Sequence, residues 1–222
     1  MSDVDDIAAT VQRVRERIVE ANRRAGRPDD DVTLVGATKT VDADRVAVAL
    51  HAGLVDLGEN RAQELLVKAP LLAAATAPPR WHFLGALQRN KVRALSQWVT
   101  CWESVDRLAL GRTIAQHAPG ARVLVEVNVA GEAQKAGCTP SEAPDLVDEL
   151  RALGLDVVGL MTVPPHGDDP RPWFAQLRGL GERLALAELS MGMTDDFEAA
   201  IAEGATIVRV GRAIFGARPP QR

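Results

Sequence analysis

The chain contains few residues of several types that would point to particular functions. It has no tyrosine and only two cysteines among its 222 residues. Cys101 and Cys138 stand in neither a CxxC nor a cysteine–histidine spacing, which disfavours both a disulfide scaffold and a zinc site. Lysine is also scarce, because 4 of the 26 basic residues are lysine and 22 are arginine. Each lysine therefore occupies a position that needs its own explanation.

Long apolar runs and an excess of positive charge are absent as well. No stretch reaches the roughly 20 apolar residues that cross a bilayer. The net charge is −4 and the two signs are interleaved, so we expect neither nucleic acid nor a membrane as a partner. The first residues are acidic and then amphipathic, unlike a secretory signal. These features predict a cytoplasmic protein, present as a monomer or a weak dimer.

Short β-like runs alternate with segments rich in helix formers. An initial helix is predicted from an N-cap at Ser2 to a stop at Gly26 and Pro28, with apolar residues at helical spacing. Eight runs then predict strands, and helical segments such as 141–154 lie between them. The predicted strands cover residues 33–39, 55–60, 81–87, 98–105, 122–130, 157–163, 188–192 and 206–212.

This alternation predicts an α/β fold with a parallel sheet. Eight units fit a single (β/α)8 TIM-type barrel over residues 1–222, whereas a doubly wound sheet more often has five or six parallel strands. Little chain remains for a helix after the last strand. We therefore expect the extra N-terminal helix to cover part of the outside of the barrel.

The first predicted strand ends at Lys39, where a barrel enzyme would have its site. Active sites in such barrels lie at the C-terminal ends of the strands. A lysine there can lose its proton by desolvation, and the neutral amine can form a Schiff base with an aldehyde, which arginine cannot do. The alternative is an amine that only reaches out to water.

Glycines after the seventh and eighth strands predict a phosphate site. Barrels often bind phosphate through the loops that follow these strands. Gly192 and Gly211 would let a phosphate approach the backbone, although they could equally serve only to turn the chain. Asp195 and Asp196 would repel a phosphate on the next helix. The predicted phosphate contacts are therefore residues 190–192 and 211–212.

An aldehyde-reactive lysine and a phosphate site together suit pyridoxal 5′-phosphate, which carries both groups on one ring. Six motifs in order cover most of the chain: GATKT, DLGENRAQE, WHFLGALQRNK, EVNVAGEAQKAG, GLMTVP and LSMGMTDDFEAAIAEGATIVRVGRAIFGAR. The sequence resembles the pyridoxal-phosphate homeostasis protein family, which is similar to the N-terminal barrel of alanine racemase without its second domain.

The resemblance implies a role for seven residues, and the phosphate-site argument adds Gly192 as an eighth. Lys39 would hold the cofactor as a Schiff base, and Arg209 would face the pyridine nitrogen. Asn60 and Met161 would line the ring pocket. The phosphate would be held by Ser190, Gly192, Gly211 and Arg212. The chain departs from the family pattern at Arg61, Ala86 and Arg212, where the family commonly has tyrosine, histidine, and serine or threonine.

Amino-acid racemisation on this scaffold needs a second acid–base group, which alanine racemases supply as a tyrosine from their other domain. The chain has no tyrosine, and none of its four histidines clearly replaces it: only His82 lies in a strand motif, near the strand's beginning, so it is expected to be a core or surface residue. The sequence thus favours a protein that carries pyridoxal phosphate and delivers it to apoenzymes. Alternatives are a racemase-like or class I aldolase-like Schiff-base enzyme, or a barrel that binds a protein partner.

The other three lysines receive separate predictions. Lys68 lies in a helical segment and is expected on its solvated face. Lys91 starts the helix after the third strand, and Lys135 lies in the loop after the fifth. Either could offer a second, weaker site for the aldehyde, although loop lysines are usually only solvated.

Overall fold

Eight parallel strands close into a barrel in the part of the chain that the computed structural model describes, residues 3–75, 77–132 and 134–216. Each strand pairs with its neighbours in sequence, and the first pairs with the eighth. The strands are β1 (Thr33–Ala37), β2 (Asp56–Glu59), β3 (Arg80–Phe83), β4 (Val99–Val105), β5 (Arg122–Glu126), β6 (Asp156–Met161), β7 (Glu188–Ser190) and β8 (Ile207–Val210).

Helices surround the barrel and connect successive strands. They are α1 (Asp3–Arg24), α2 (Ala43–His51), α3 (Ala62–Leu72), α4 (Arg89–Leu95), α5 (Leu108–His117), α6 (Ala143–Ala152), α7 (Arg171–Arg183), α8 (Phe197–Ala202) and α9 (Arg212–Phe215). The predicted single barrel with an extra N-terminal helix is confirmed. Among the helices of the described ranges, none has the length and apolar character that a membrane crossing requires.

The apolar residues form two layers, as expected for strands that are buried on both faces. One layer lies between the strands and the helices and includes Trp81, Trp102 and Phe174. A smaller cluster fills the interior of the barrel, with residues drawn from strands all around it. Its buried members are Val35, Leu84, Cys101, Leu124, Met161 and Ile207.

The helix α1 covers the side of the barrel where the last helix is short. Ile7, Val11, Val14 and Ile18 recur at helical spacing and are buried on one face. The helix contacts α2, α8 and the four-residue α9. The predicted N-cap, Ser2, lies outside the described residues, but the covering role predicted for this helix is confirmed.

Candidate functional site

A cavity of about 540 Å³ lies where β1 and β8 end. It is lined by the turn after β1, the loop after β7 and the short segment from β8 into α9. Four of the eight predicted site residues line it: Lys39, Arg209, Gly211 and Arg212. The topology explains this meeting, since closing the barrel places the first and last strands side by side.

Lys39 stands just beyond the end of β1, two residues later than the strand itself. β1 ends at Ala37, and the backbone N–H of Thr38 still donates to the carbonyl of Gly58 on β2. Thr40, which directly follows Lys39, has a φ of 65°. A left-handed conformation is unusual for a β-branched residue, so the turn that presents Lys39 is strained.

Arg209 reaches the same cavity from inside the barrel. Its guanidinium donates to the Ser190 hydroxyl at 2.6 Å and to the Thr162 carbonyl at 2.8 Å, and the residue is 5% exposed. Burial lowers the pKa of Arg209, while the carboxylates of Glu103 and Glu126 oppose that shift. A guanidinium remains protonated under these conditions. A fixed cation therefore forms one wall of the cavity.

A chain of buried polar groups supports this cation. Ser190 donates to Glu103 at 2.5 Å, and the other carboxylate oxygen of Glu103 lies 2.5 Å from Nδ1 of His82. Nε2 of His82 lies 3.3 Å from Asp56. Burial raises the pKa of Glu103, but His82 and Arg209 lower it by more, so the carboxylate is ionised. From the start of β2 to Arg209, this series of buried side chains thus alternates negative and positive groups.

His82, Cys101 and Glu103 have their potential ligand atoms within 4.8 Å of one another. Burial lowers the pKa of His82, but hydrogen bonds to Asp56, Cys101 and Glu103 raise it well above 6.5 overall. Metal ligation requires the neutral imidazole. Because both ring nitrogens already lie against carboxylates, this cluster is an ion-pair network. Of the two expectations for His82, a core or a surface residue, the structure shows the first, since His82 is 6% exposed.

The backbone at Gly211 comes close to the end of β1. A Cβ at this position would lie 3.0 Å from the carbonyl oxygen of Ala37, so glycine allows the two backbones to approach each other closely. The next side chain, Arg212, donates to the carboxylate of Asp195, which also lines the cavity. Asp196 accepts from the backbone N–H of Met193 at 2.5 Å. Both acidic residues that were expected to repel phosphate are thus compensated by local donors.

The other four predicted residues are not among those that line the cavity. Met161 is part of the apolar cluster inside the barrel, and Asn60 follows β2. Gly192 has a φ of 92°, and its backbone accepts from the N–H of Arg209. The hydroxyl of Ser190 is fully buried between Glu103 and Arg209. A phosphate contact at Ser190 or Gly192 therefore remains a prediction, and the hydroxyl already has two partners.

Three polar residues of the cavity were not singled out from the sequence: Arg45 on α2, His166 after β6 and Thr194 after β7. Nε of Arg45 is buried without a hydrogen-bond partner, while its Nη2 donates to the carbonyl of Phe215 at 2.9 Å. Arg45 lies on a helix and the other two lie in loops, where the pattern of polar residues at strand ends does not mark them.

Glu126 closes β5 but was not among the residues predicted for the site. Burial, together with the nearby carboxylate of Asp106, raises its pKa to about 7, and Arg209 opposes that shift. A carboxyl group that titrates near neutral pH therefore lies at the same end of the barrel.

The prediction for Lys68 is wrong. The helix α3 turns this residue towards the barrel, where it is 5% exposed and its ammonium lies 2.5 Å from the buried carboxylate of Glu59. The exposed face of α3 also carries apolar residues, so the sequence pattern did not show which face is buried. Lys135 is held by Glu132 and by the carbonyl of Pro164, and neither it nor Lys91 lines the cavity.

Comparisons with known proteins assign the family. Residues 9–219 match the family model described as alanine racemase, N-terminal domain. A pyridoxal phosphate homeostasis protein from Pseudomonas aeruginosa is 42% identical, with 96% of each chain covered. The namesake from Aquifex aeolicus is 43% identical over 94% of this chain and 96% of its own. The chain belongs to the pyridoxal phosphate homeostasis protein family.

A solved structure is similar over most of the chain. PipY of Synechococcus elongatus, with pyridoxal phosphate bound, superposes with a TM-score of 0.77 at 32% identity. The match covers 91% of this chain and all of that one. The family resemblance drawn from the six motifs is confirmed.

Proposed function

We propose that the protein binds pyridoxal 5′-phosphate in the strand-end cavity and serves in its intracellular storage and delivery. The observation that carries the proposal is the placement of Lys39, Arg209 and the Gly211–Arg212 segment around one cavity. An amine that can form a Schiff base, a cation and a backbone that accepts an anion are the groups that this cofactor needs.

The cavity fits a small anionic ligand in size and charge. Its volume of about 540 Å³ is in the usual range for small-molecule sites. Among the described residues that line it, the cations Lys39, Arg45, Arg209 and Arg212 outnumber the one carboxylate, Asp195. The buried Nε of Arg45 that lacks a protein partner adds to this surplus of donors. The residues therefore fit the cofactor.

Each residue has a definite task in this proposal. When bound, the cofactor supplies an aldehyde that condenses with an amine and a ring that withdraws electrons. Lys39 supplies the amine, and Gly211 with Arg212 holds the phosphate. Arg209 would place a fixed positive charge beside the pyridine nitrogen. Because a second positive charge there is costly, Arg209 would keep that nitrogen unprotonated and weaken the ring as an electron sink.

The same site is poorly equipped for racemisation. The chain has no tyrosine to act as the second acid–base group, and Arg209 disfavours carbanion chemistry. We therefore propose little or no racemase activity. One observation favours the racemase-like alternative: the imidazole of His166, a possible acid–base group, lines the cavity. A class I aldolase-like enzyme shares the lysine and the anion site but would give no coloured complex.

The test is an absorbance spectrum of the purified protein with added pyridoxal phosphate, before and after borohydride, beside the Lys39→Ala variant. The proposal predicts a near-visible band that borohydride removes and that Lys39→Ala lacks. Peptide mapping after reduction should find the label on Lys39, and label on Lys91 or Lys135 would reveal the second aldehyde site. A colourless protein that takes up no pyridoxal phosphate would refute the proposal.

Catalysis is tested separately with the cofactor-loaded protein and D- or L-alanine. The proposal predicts no change of chirality at enzyme-like rates. Turnover that disappears in His166→Ala would instead support the racemase-like alternative. Transfer to apoenzymes is checked by mixing the loaded protein with a pyridoxal-phosphate-dependent apoenzyme and following the recovery of that enzyme's activity.

A further inference from the structure

We propose that Glu64 and Lys68 on α3 are positioning residues that hold the turn carrying Lys39 in the geometry needed for its bond to the aldehyde. This inference deepens the proposed function and rests on it. It is carried by hydrogen bonds to the peptide groups on both sides of Lys39.

The two side chains bind the residues that flank Lys39. Nζ of Lys68 donates to the carbonyl oxygen of Thr38 at 2.7 Å. Oε2 of Glu64 accepts from the backbone N–H of Thr40 at 2.7 Å. The two are four residues apart on α3, with Nζ of Lys68 3.2 Å from Oε2 of Glu64. One helical turn therefore holds the backbone before and after Lys39.

A buried carboxylate fixes the ammonium in place. Oε1 of Glu59, at the end of β2, lies 2.5 Å from Nζ of Lys68 and accepts from the hydroxyl of Thr38 at 2.7 Å. The side chains of Lys68 and Glu59 are 7% and 0% exposed. A buried ion pair with this many satisfied partners has a defined geometry, unlike a pair on the surface.

The conformation of the turn explains why such an arrangement is needed. Thr40 has a φ of 65°, a value that a β-branched residue adopts only when its surroundings enforce it. Without the acceptor on Glu64 and the donor on Lys68, the turn could relax to an ordinary φ. Relaxation would rotate the peptide that follows Lys39 and move its amine relative to Arg209 and Gly211.

The experiment compares two ligands that share a phosphate and a ring. Pyridoxal 5′-phosphate can bond to Lys39, whereas pyridoxamine 5′-phosphate has no aldehyde. The dissociation constants of both are measured by equilibrium titration for the wild type, Lys39→Ala, Lys68→Met, Glu64→Leu and Glu64→Gln. Since each hydrogen bond involves a charged group, Lys68→Met and Glu64→Leu should weaken pyridoxal phosphate binding by about tenfold or more. Their affinity for the pyridoxamine form should change by less than about twofold.

The remaining variants separate positioning from general damage to the fold. Glu64→Gln keeps an oxygen that can accept from Thr40 and should behave as the wild type does. Glu64→Leu leaves the buried pair of Lys68 and Glu59 intact, so it tests the idea even if Lys68→Met does not fold. Arg178→Met serves as the matched control, because it removes the ion pair to Glu203 on the outside of the barrel and should change neither constant.

The outcomes are distinct. If the wild type prefers the aldehyde form, Lys39→Ala loses that preference, and both Lys68→Met and Glu64→Leu keep it within about twofold, the positioning role is wrong and the proposed function stands. If the wild type and Lys39→Ala bind the two ligands alike, the proposed function fails and the positioning role fails with it.

Discussion

Replacing Glu103 with glutamine should be among the most damaging conservative substitutions in the barrel. The carboxylate is fully buried and is the shared partner of His82 and of the Ser190 hydroxyl that accepts from Arg209. Glutamine keeps the size of the side chain but removes the negative charge. His82 would then keep Asp56 as its acidic partner, and Arg209 would lose Glu103 while keeping the weaker influence of Glu126 and Asp196.

Removing one partner of a buried ion pair lowers the free energy of unfolding by about 3–5 kcal/mol. For a chain of this length, each kcal/mol corresponds to roughly 2–4 °C in Tm. Glu103→Gln should therefore lower Tm by roughly 6–20 °C. Glu198→Gln removes an ion pair to Arg17 whose side chains are 38% and 46% exposed, so it should cost less than about 1 kcal/mol.

The assay is thermal unfolding followed by circular dichroism at pH 6, with chemical denaturation to obtain the free energy. A second measurement at acid pH uses the lowered pKa of Glu103. The stability that this carboxylate contributes is present above its unfolded pKa and is lost as the pH falls through the lower, folded pKa. The difference between wild type and variant should therefore shrink at low pH. A Tm for Glu103→Gln within about 2 °C of that for Glu198→Gln would refute this account of the network.

Three further predictions concern other groups in the barrel. Because the folded pKa of His82 is raised, its contribution to stability is complete below pH 6.5 and is lost as the pH rises through that higher value; His82→Gln should flatten this part of a plot of unfolding free energy against pH. Glu126 has a pKa of about 7 against an ordinary 4.5, so Glu126→Gln should stabilise the protein by up to about 3 kcal/mol at pH 8 and have little effect at pH 4 in urea denaturation. Gly192→Ala places a Cβ 2.6 Å from that of Ala200 at a φ of 92° and should lower Tm clearly more than Gly120→Ala, where nothing lies within 4 Å.

The architecture could be predicted from the sequence because it depends on a pattern repeated eight times. Each strand is a short apolar run between turn residues, and an error at one end does not change the number of units. The ends themselves were less accurate, as β1 stops at Ala37 rather than at Lys39. The last residues of the predicted first strand lie beyond the barrel. Hydrogen bonds from side chains of α3 hold their conformation.

Half of the residues predicted for the site line one cavity for a related reason. Lys39 and Gly211 lie just after β1 and β8, and Arg209 lies within β8, so the closure of the barrel brings the three together. Arg45 and His166 come from a helix and a loop, and their approach to the cavity depends on packing that no local pattern records. The hydroxyl of Ser190 was expected to face a phosphate, but it lies between Glu103 and Arg209. Its burial depends on two residues that are distant in sequence.

The scarcity of lysine points to a specific role at Lys68 as well as at Lys39. Lys39 was distinguished by its chemistry, but Lys68 also occupies a place that arginine would fill poorly. Its ammonium donates to three oxygens that converge on one point, from Thr38, Glu59 and Glu64. A planar guanidinium directs its donors outwards in a fork and would need a larger space. In a chain that otherwise uses arginine, the buried lysine that holds the turn before Lys39 is thus explained by geometry, and a Lys68→Arg variant should disturb that turn although it conserves the charge.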